Sequence, residues 1–447
     1  MTLRGILVRL FRRVVRLYFR RIERVGESPP AATAGRLFVS NHHNALVDPI
    51  LVLTDADCVI SPIAKSTLWS IPGLRWLLDV AEAVPILRRK DSPEKDAKAN
   101  DATFERIANH LAQGGNILIF PEGKSHSEPK VAKLRTGAAR MLMLAEGARR
   151  AAGESRGADL TFQAVALEFD ARDKFRSRCL VLWGPVRRLA DVAGDGEARV
   201  RSVTDRMQED LHELLVEGDT HEERRMIARV AEMLANDAGH ETMEGWNTFG
   251  RQVELASRTL AQVDAAEVDA AEVRTRVGAY YADLESLGLR DWQLSGGRAP
   301  SPSVPWTRWI RRSLLAPFAV IGLTLFSVPY FGTRMVTRMT ARQAEQGDVV
   351  STAKLATGLV AHPIWAALLV TVAFLTWPAW VASILAVGVV ASPFAALAWL
   401  DAWESRVPGL AKVATAARIA SLVSARAGAL AAIEKARGRL PGSPDPA

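Results

Sequence analysis

From Leu355 to Leu400 the chain carries no Asp, Glu, Lys or Arg, a run more than twice the ~20 apolar residues that one helix needs to cross a bilayer. The simplest reading is two membrane-spanning helices. Within it "TWPAW" places Pro378 near the middle, and proline restricts both itself and the residue before it, so the turn is expected near Thr376 to Pro378. A second uncharged block, Ser313 to Thr333, contains Pro317 and Pro329 and reads as a third span or as a helix in the interface. Arg308, Arg311 and Arg312 precede it and Arg334, Arg338 and Arg342 follow it, so the positive-inside rule gives no orientation there. The tail over 401–447 is net basic, which favours a cytoplasmic end.

The N-terminal segment is of a different kind. Leu3, Leu7, Leu10, Val14 and Leu17, joined by Ile6, Phe11, Tyr18 and Ile22, recur at helical spacing, while Arg9, Arg12, Arg13, Arg16 and Arg20 lie largely off that stripe. Arginines interrupt the segment throughout, which leaves no apolar core for a secretory signal. Residues 1–26 are expected to form a basic amphipathic helix in the membrane interface, its apolar side at the acyl boundary and its arginines at anionic head groups. The plainer alternative is a helix packed on the protein's own core. A formal net charge of +8 points the same way, toward an anionic partner: nucleic acid, an anionic membrane or a phosphorylated substrate. Nucleic-acid binding explains the charge and leaves the spans unexplained. Cys58 and Cys179 stand far apart without a Cys-x-x-Cys or Cys/His cluster, which argues against a disulfide framework or a zinc site and fits a reducing compartment.

Between these ends, short apolar runs alternate with amphipathic stretches from Gly35 to about Val186. "RLFVSN", "CVISPIA", "AVPILR", "NILIFPEG", "FQAVALEF" and "RCLVLWGPV" read as strands, and Asp96 to Ala112 and Leu134 to Arg149 as helices. That alternation predicts an α/β domain over 35–190, with its sites where strands end and helices begin. Residues 191–293 turn charged and Ala/Glu-rich with helical periodicity, and read as a helical extension. The Gly/Ser/Pro-rich stretch 294–306 reads as a linker before the membrane region at 307–400.

Three strand ends carry chemistry. "NHHNALVDP" sets two histidines before Asp48, "AVPILRRKD" ends a strand on Arg88 and Arg89, and "FPEGKSHSEP" follows a strand with a carboxylate, a glycine, a lysine and a serine. A His with a nearby Asp is weak evidence alone, since such pairs often only satisfy a buried polar group. The second cluster strengthens it: Gly123 permits close backbone approach, and Lys124, Ser125 and backbone N–H groups suit a phosphate. Arginine at a strand end, as at Arg88, is a natural fork for phosphate. His43 stands four residues and His42 five residues short of Asp48 counting those between. Neither gap aligns the side chains on one helical face, so the chain must fold back and spacing does not choose between the two.

Taken in order, these blocks, with "FQAVALEF" in fourth place, resemble the phospholipid/glycerol acyltransferase family. The long helical region, hydrophobic C-terminus and "FPEGKSHSEP" look similar to its glycerol-3-phosphate/dihydroxyacetone-phosphate branch. Two departures stand out: Lys124-Ser125 replaces the family's Thr-Arg, and the fourth block lacks its proline. The resemblance implies His42, Asp48 and His43 as catalytic residues, with His42 favoured as base by alignment to that branch. It implies Asn44, Arg88, Glu122, Gly123, Lys124 and Ser125 as substrate-binding residues. No metal and no cofactor are implied beyond the thioester co-substrate, acyl-coenzyme A or acyl carrier protein. The implied reaction takes the proton from an acceptor hydroxyl onto a neutral imidazole as the hydroxyl attacks the thioester. The acceptor is glycerol 3-phosphate, dihydroxyacetone phosphate or lysophosphatidate, and membrane lipids are the other partner. A multi-pass membrane protein with its catalytic domain facing the cytoplasm is expected. The competing expectation is an inactive membrane-remodelling protein that keeps an acyltransferase-like domain; a lipid hydrolase lacks its Gly-x-Ser-x-Gly elbow here.

Overall fold

The computed structural model describes residues 2–28, 35–87, 96–153, 160–240, 242–260, 267–295, 306–343, 350–404 and 416–439. The chain forms two compact units, residues 1–217 with 344–352, and residues 218–343 with 353–447. At the centre of the first is a seven-stranded sheet in the order β1-β7-β6-β2-β5-β3-β4. Six strands fall on the runs expected: β2 (Arg36–Ser40), β3 (Ser61–Lys65), β4 (Val84–Ile86), β5 (Asn116–Ile119), β6 (Thr161–Phe169) and β7 (Arg178–Arg188). In β2 and β5 every residue is buried. Such strands read as continuous apolar runs because helices cover both faces of a parallel sheet. β2 pairs in parallel with β5 on one side and β6 on the other, with Val39 opposite both Ile119 and Ala164. The segments that leave β2 and β5 therefore emerge side by side at one end of the sheet. β7 runs antiparallel to β6.

The N-terminal expectation needs correction. Residues 1–26 are not one helix: α1 covers Leu3–Tyr18, and Arg21–Val25 form β1, an edge strand parallel to β7. The apolar arc of α1 is divided. Val15 and Tyr18 are buried, whereas Leu3, Ile6, Leu10 and Leu17 are exposed, beside the exposed Arg9, Arg13, Arg16 and Arg20. Arg4 and Arg12 turn the other way and donate to the Ile60 and Thr54 carbonyls, each at 2.6 Å. Core packing and a lipid-suited outer face thus coexist on one helix.

On the sheet lie α2 (Val47–Asp55), α4 (Asp96–Ala112), α5 (Gly137–Ala151) and α6 (Gly196–Leu214), and α3 (Pro72–Val80) joins β3 to β4. Composition places α6 with the helical extension, yet it belongs to the first unit. It buries Val200, Val203, Met207 and Leu211, and pairs Asp210 with Arg187 at 2.8 Å and Arg199 with Glu146 at 2.8 Å. Its charged outer face hid a narrow apolar stripe.

The second unit contains α7 (His221–Asp237), α8 (Met243–Leu260), α9 (Glu267–Leu287) and α14 (Ala416–Arg437). The segment expected to be a basic tail includes α14, which packs on α9 around Val277, Tyr280, Leu284, Leu422 and Ile433. Arg426, buried among them, donates to Asp291 and Asp237, each at 2.9 Å; Asp291 also accepts from Tyr280 at 2.8 Å and Asn236 at 2.9 Å. Leu294, first residue of the expected linker, is buried in this core, and 296–305 lie outside the described residues.

Also in this unit are α10 (Trp306–Leu325), α11 (Ser327–Gln343), α12 (Val350–Thr376) and α13 (Ala379–Glu404); the first three residues of α12 count with the first unit. α12 and α13 are long and apolar enough to cross a membrane, and their turn falls at Trp377–Pro378 as expected. α10 and α11 meet at a bend of 54°, so they count as a third span only if taken together. The Trp365 indole donates to the Leu325 carbonyl at that bend, at 2.7 Å. α10 crosses α13 so closely that a Cβ on Gly322 would lie 2.3 Å from the Ser392 carbonyl oxygen.

Replacing Arg426 by Leu strands the Asp291 carboxylate inside the second unit. Denaturant unfolding of the full chain in detergent is expected to show a loss of about 3–5 kcal/mol, the usual cost of removing one partner of a buried ion pair.

Candidate active site

The chain leaves β2 at Ser40, but its pairing continues for one more step through a side chain. Asn41 is fully buried; its Nδ2 donates to the Leu167 carbonyl at 3.0 Å and its Oδ1 accepts from the Leu167 N–H at 2.8 Å. Asn41 thereby satisfies the β6 backbone and frees its own to turn. The turn passes through Ala45 at φ +36°, an unusual value for a residue with a side chain. It delivers Asp48 to the first turn of α2.

Asp48 faces back into the loop. Its Oδ2 accepts from His42 Nδ1 at 2.9 Å, from His43 N–H at 2.7 Å and from Asn44 N–H at 2.7 Å. Two backbone donors and a ring nitrogen thus converge on one oxygen in the first turn of α2. Since a carboxylate only accepts, the His42 proton sits on Nδ1 and Nε2 carries the lone pair. The His42 ring stacks on Phe120 with centroids 4.1 Å apart, and its side chain is 12% exposed. One nitrogen is thus held and the other is basic.

The neighbouring segment, leaving β5, braces this loop. Glu122 is buried, and its Oε1 accepts from His42 N–H at 2.9 Å while Oε2 accepts from Ala132 N–H at 2.9 Å and from His126 Nε2. His126 Nδ1 accepts from Glu128 N–H at 3.2 Å, which fixes the proton of this buried imidazole on Nε2. The His126 backbone N–H donates to the His42 carbonyl at 3.0 Å. Its own carbonyl accepts from His43 Nδ1 at 3.0 Å and from Arg172 at 3.3 Å. The His43 ring is therefore turned to His126, and only its backbone meets Asp48.

The other expected residues fall as follows. Asn44 is buried, and among the described residues neither atom of its side-chain amide is hydrogen-bonded, nor is Asp48 Oδ1. Lys124 is exposed and Ser125 half-buried on the same turn. Gly123 adopts φ +75°, and a Cβ there would lie 2.8 Å from the Arg135 guanidinium carbon. Glycine is required both for the turn and for that close approach. Arg88 lies outside the described residues. Sequence reasoning missed Arg172, whose guanidinium also donates to Ser127 Oγ; it stands in an ordinary β6–β7 connection with no motif to mark it. On β7, burial pushes the Cys179 thiol well above its ordinary range, and the charge of Asp48 adds to this. It is a core residue and no nucleophile.

Glu122→Gln keeps the shape but sets an amide N–H₂ against donors that both carboxylate oxygens now satisfy. It is expected to lower the stability of the full chain by about 1–3 kcal/mol, read from thermal unfolding in detergent; an unchanged midpoint would show that the brace is dispensable.

Residues 21–165 match the family model described as Acyltransferase. Among solved structures, the 1-acyl-sn-glycerophosphate (LPA) acyltransferase PlsC from Thermotoga maritima is similar at 15% identity, over 46% of this chain and 81% of that one, with a TM-score of 0.32. No curated protein matches the chain. The family match, and not that superposition, accords with the order of the histidine, arginine and Phe-Pro-Glu-Gly blocks. Over residues 21–165, about a third of the chain, the protein is therefore similar to the family described as Acyltransferase.

Proposed function

We propose that the protein is a membrane-bound O-acyltransferase that moves a fatty acyl group from a thioester, acyl-coenzyme A or acyl carrier protein, to a hydroxyl of glycerol 3-phosphate, dihydroxyacetone phosphate or lysophosphatidate. The observation that carries this reading is the His42 Nδ1 to Asp48 hydrogen bond at 2.9 Å, which leaves Nε2 as a base on a partly open ring. An alcohol is a poor nucleophile at neutral pH, so Nε2 takes its proton as the oxygen attacks the thioester carbonyl carbon. The tetrahedral intermediate collapses, the C–S bond breaks, and the imidazolium returns the proton to the leaving thiolate. Asp48 holds the tautomer and stabilises the imidazolium, as a carboxylate does in a hydrolase triad. The substrate supplies the nucleophile, so no acyl-enzyme forms. Asn44, with a buried unpaired amide, is assigned to a polar group of the bound substrates.

The acceptor phosphate needs cations beside the base. Lys124 is exposed on the Gly123 turn and Arg135 is exposed with its guanidinium against Gly123, and the Arg135 backbone N–H is tied to the Pro121 carbonyl at 3.0 Å. A guanidinium so placed suits a bidentate hold on phosphate, in place of the arginine absent beside Lys124. The outer face of α1 supports membrane attachment: Leu3, Ile6, Leu10 and Leu17 are open to acyl chains and the neighbouring arginines to anionic head groups. Together with α12 and α13 it makes membrane lipids the partner of this reading.

Acyl transfer is measured with labelled acyl-coenzyme A and acyl carrier protein against the three acceptors. His42→Ala is expected to cut turnover by at least ~10²- to 10⁴-fold, Asp48→Asn to cut it strongly with the fold kept, and His43→Ala to cut it less than either. Near-normal transfer by His42→Ala removes the base from this mechanism. A second measurement addresses the acceptor: Arg135→Ala is expected to raise the acceptor KM about tenfold while the thioester KM holds, as for loss of one charge-assisted fork. An unmoved acceptor KM returns Arg135 to the solvated rim.

A further inference from the structure

The segment Val350–Thr352 is far from the histidine motif in sequence and belongs to the same unit. Thr352 Oγ1 accepts from the Leu46 N–H at 3.1 Å and lies 3.3 Å from the Asn44 carbonyl, to which it donates. Ser351, buried beside it, donates from Oγ to the Arg172 carbonyl at 2.5 Å. Arg172 in turn donates to the His43 and His126 carbonyls, at 3.5 Å and 3.3 Å. Two consecutive hydroxyls therefore hold the catalytic loop, one directly and one through Arg172.

Between the two groups that Thr352 bridges stands Ala45, at φ +36°. A residue with a Cβ in that region is strained and persists only where its surroundings over-determine it. This turn is what reverses the chain so that Asp48 meets His42, His43 and Asn44 on one oxygen. Val47 N–H closes the turn onto the same Asn44 carbonyl at 2.8 Å, so the Leu46 N–H depends on Thr352 for its partner among the described residues. Only a group that donates and accepts at once bridges a carbonyl and an N–H two residues apart. A hydroxyl does so; a methyl of the same size does neither.

We propose that Thr352 is a positioning residue for acyl transfer: its hydroxyl holds the left-handed turn at Ala45 that sets Asp48 against His42. Thr352 touches neither the base nor its carboxylate and acts through the backbone of Asn44 and Leu46. The proposal rests on the reading of His42 as the base.

The test compares full-length wild type, Thr352→Val and Thr352→Ser in lipid–detergent micelles, with acyl transfer to the preferred acceptor followed under steady state. Thr352→Val is expected to lower kcat about tenfold with the KM values of both substrates nearly unchanged, as for a misplaced catalytic group. Thr352→Ser, which keeps the hydroxyl, is expected to restore most of that kcat. A Thr352→Val enzyme with wild-type kcat, a loss confined to KM, or a serine variant as impaired as the valine one each overturns the proposal while leaving the reading of the site intact. A wild type inactive toward every hydroxyl acceptor overturns that reading, and this proposal with it.

Discussion

One oxygen of Asp48 organises the site, because three donors from consecutive residues converge on it. Two of them are backbone N–H groups, which pin the loop, and the third is the His42 ring, which is thereby fixed in one tautomer. The same contact that shapes the turn also sets the chemistry. Convergence requires the chain to reverse between residues 43 and 48, and the reversal requires a left-handed residue at Ala45. Every neighbouring contact bears on that strained turn: the Asn41 amide before it, Glu122 and His126 beside it, and Thr352 across it.

Of the two buried carboxylates at the site, Asp48 gathers its donors on Oδ2 and leaves Oδ1 without a hydrogen bond among the described residues, whereas Glu122 uses both oxygens. Glu122 is satisfied by two backbone N–H groups and the Nε2 proton of His126. A carboxylate so held costs far less to bury than an unpaired one. Its place is structural, joining the segment after β5 to the one after β2, while Lys124 and Arg135 stay exposed at the rim.

The α/β domain was legible because its strands are nearly continuous apolar runs, and such runs are what a sheet covered on both faces demands. The two helices long and apolar enough to cross a membrane were legible for a simpler reason, since an uncharged stretch of that length stands out in the sequence. β1 was not, because "RIERV" on a sheet edge is mostly charged, breaks strict alternation at Glu23-Arg24, and merges with the basic pattern of α1. α6 and α14 were misplaced for a related reason: charge on an outer face dominates composition, whereas a stripe of a few residues such as Val200, Val203 and Met207 decides which core a helix joins.

At the site, the residue types and their order were written in the chain: a histidine pair, an aspartate, and a Phe-Pro-Glu-Gly turn, each at the end of an apolar run. Those are local properties, and local pattern determines them. Which histidine meets Asp48, what Glu122 holds and why Ser351 and Thr352 lie on the loop are decided by contacts between segments far apart in sequence. No spacing rule reaches them, because a backbone reversal at a single left-handed residue sends adjacent side chains to different partners, and only the packed fold holds that reversal in place.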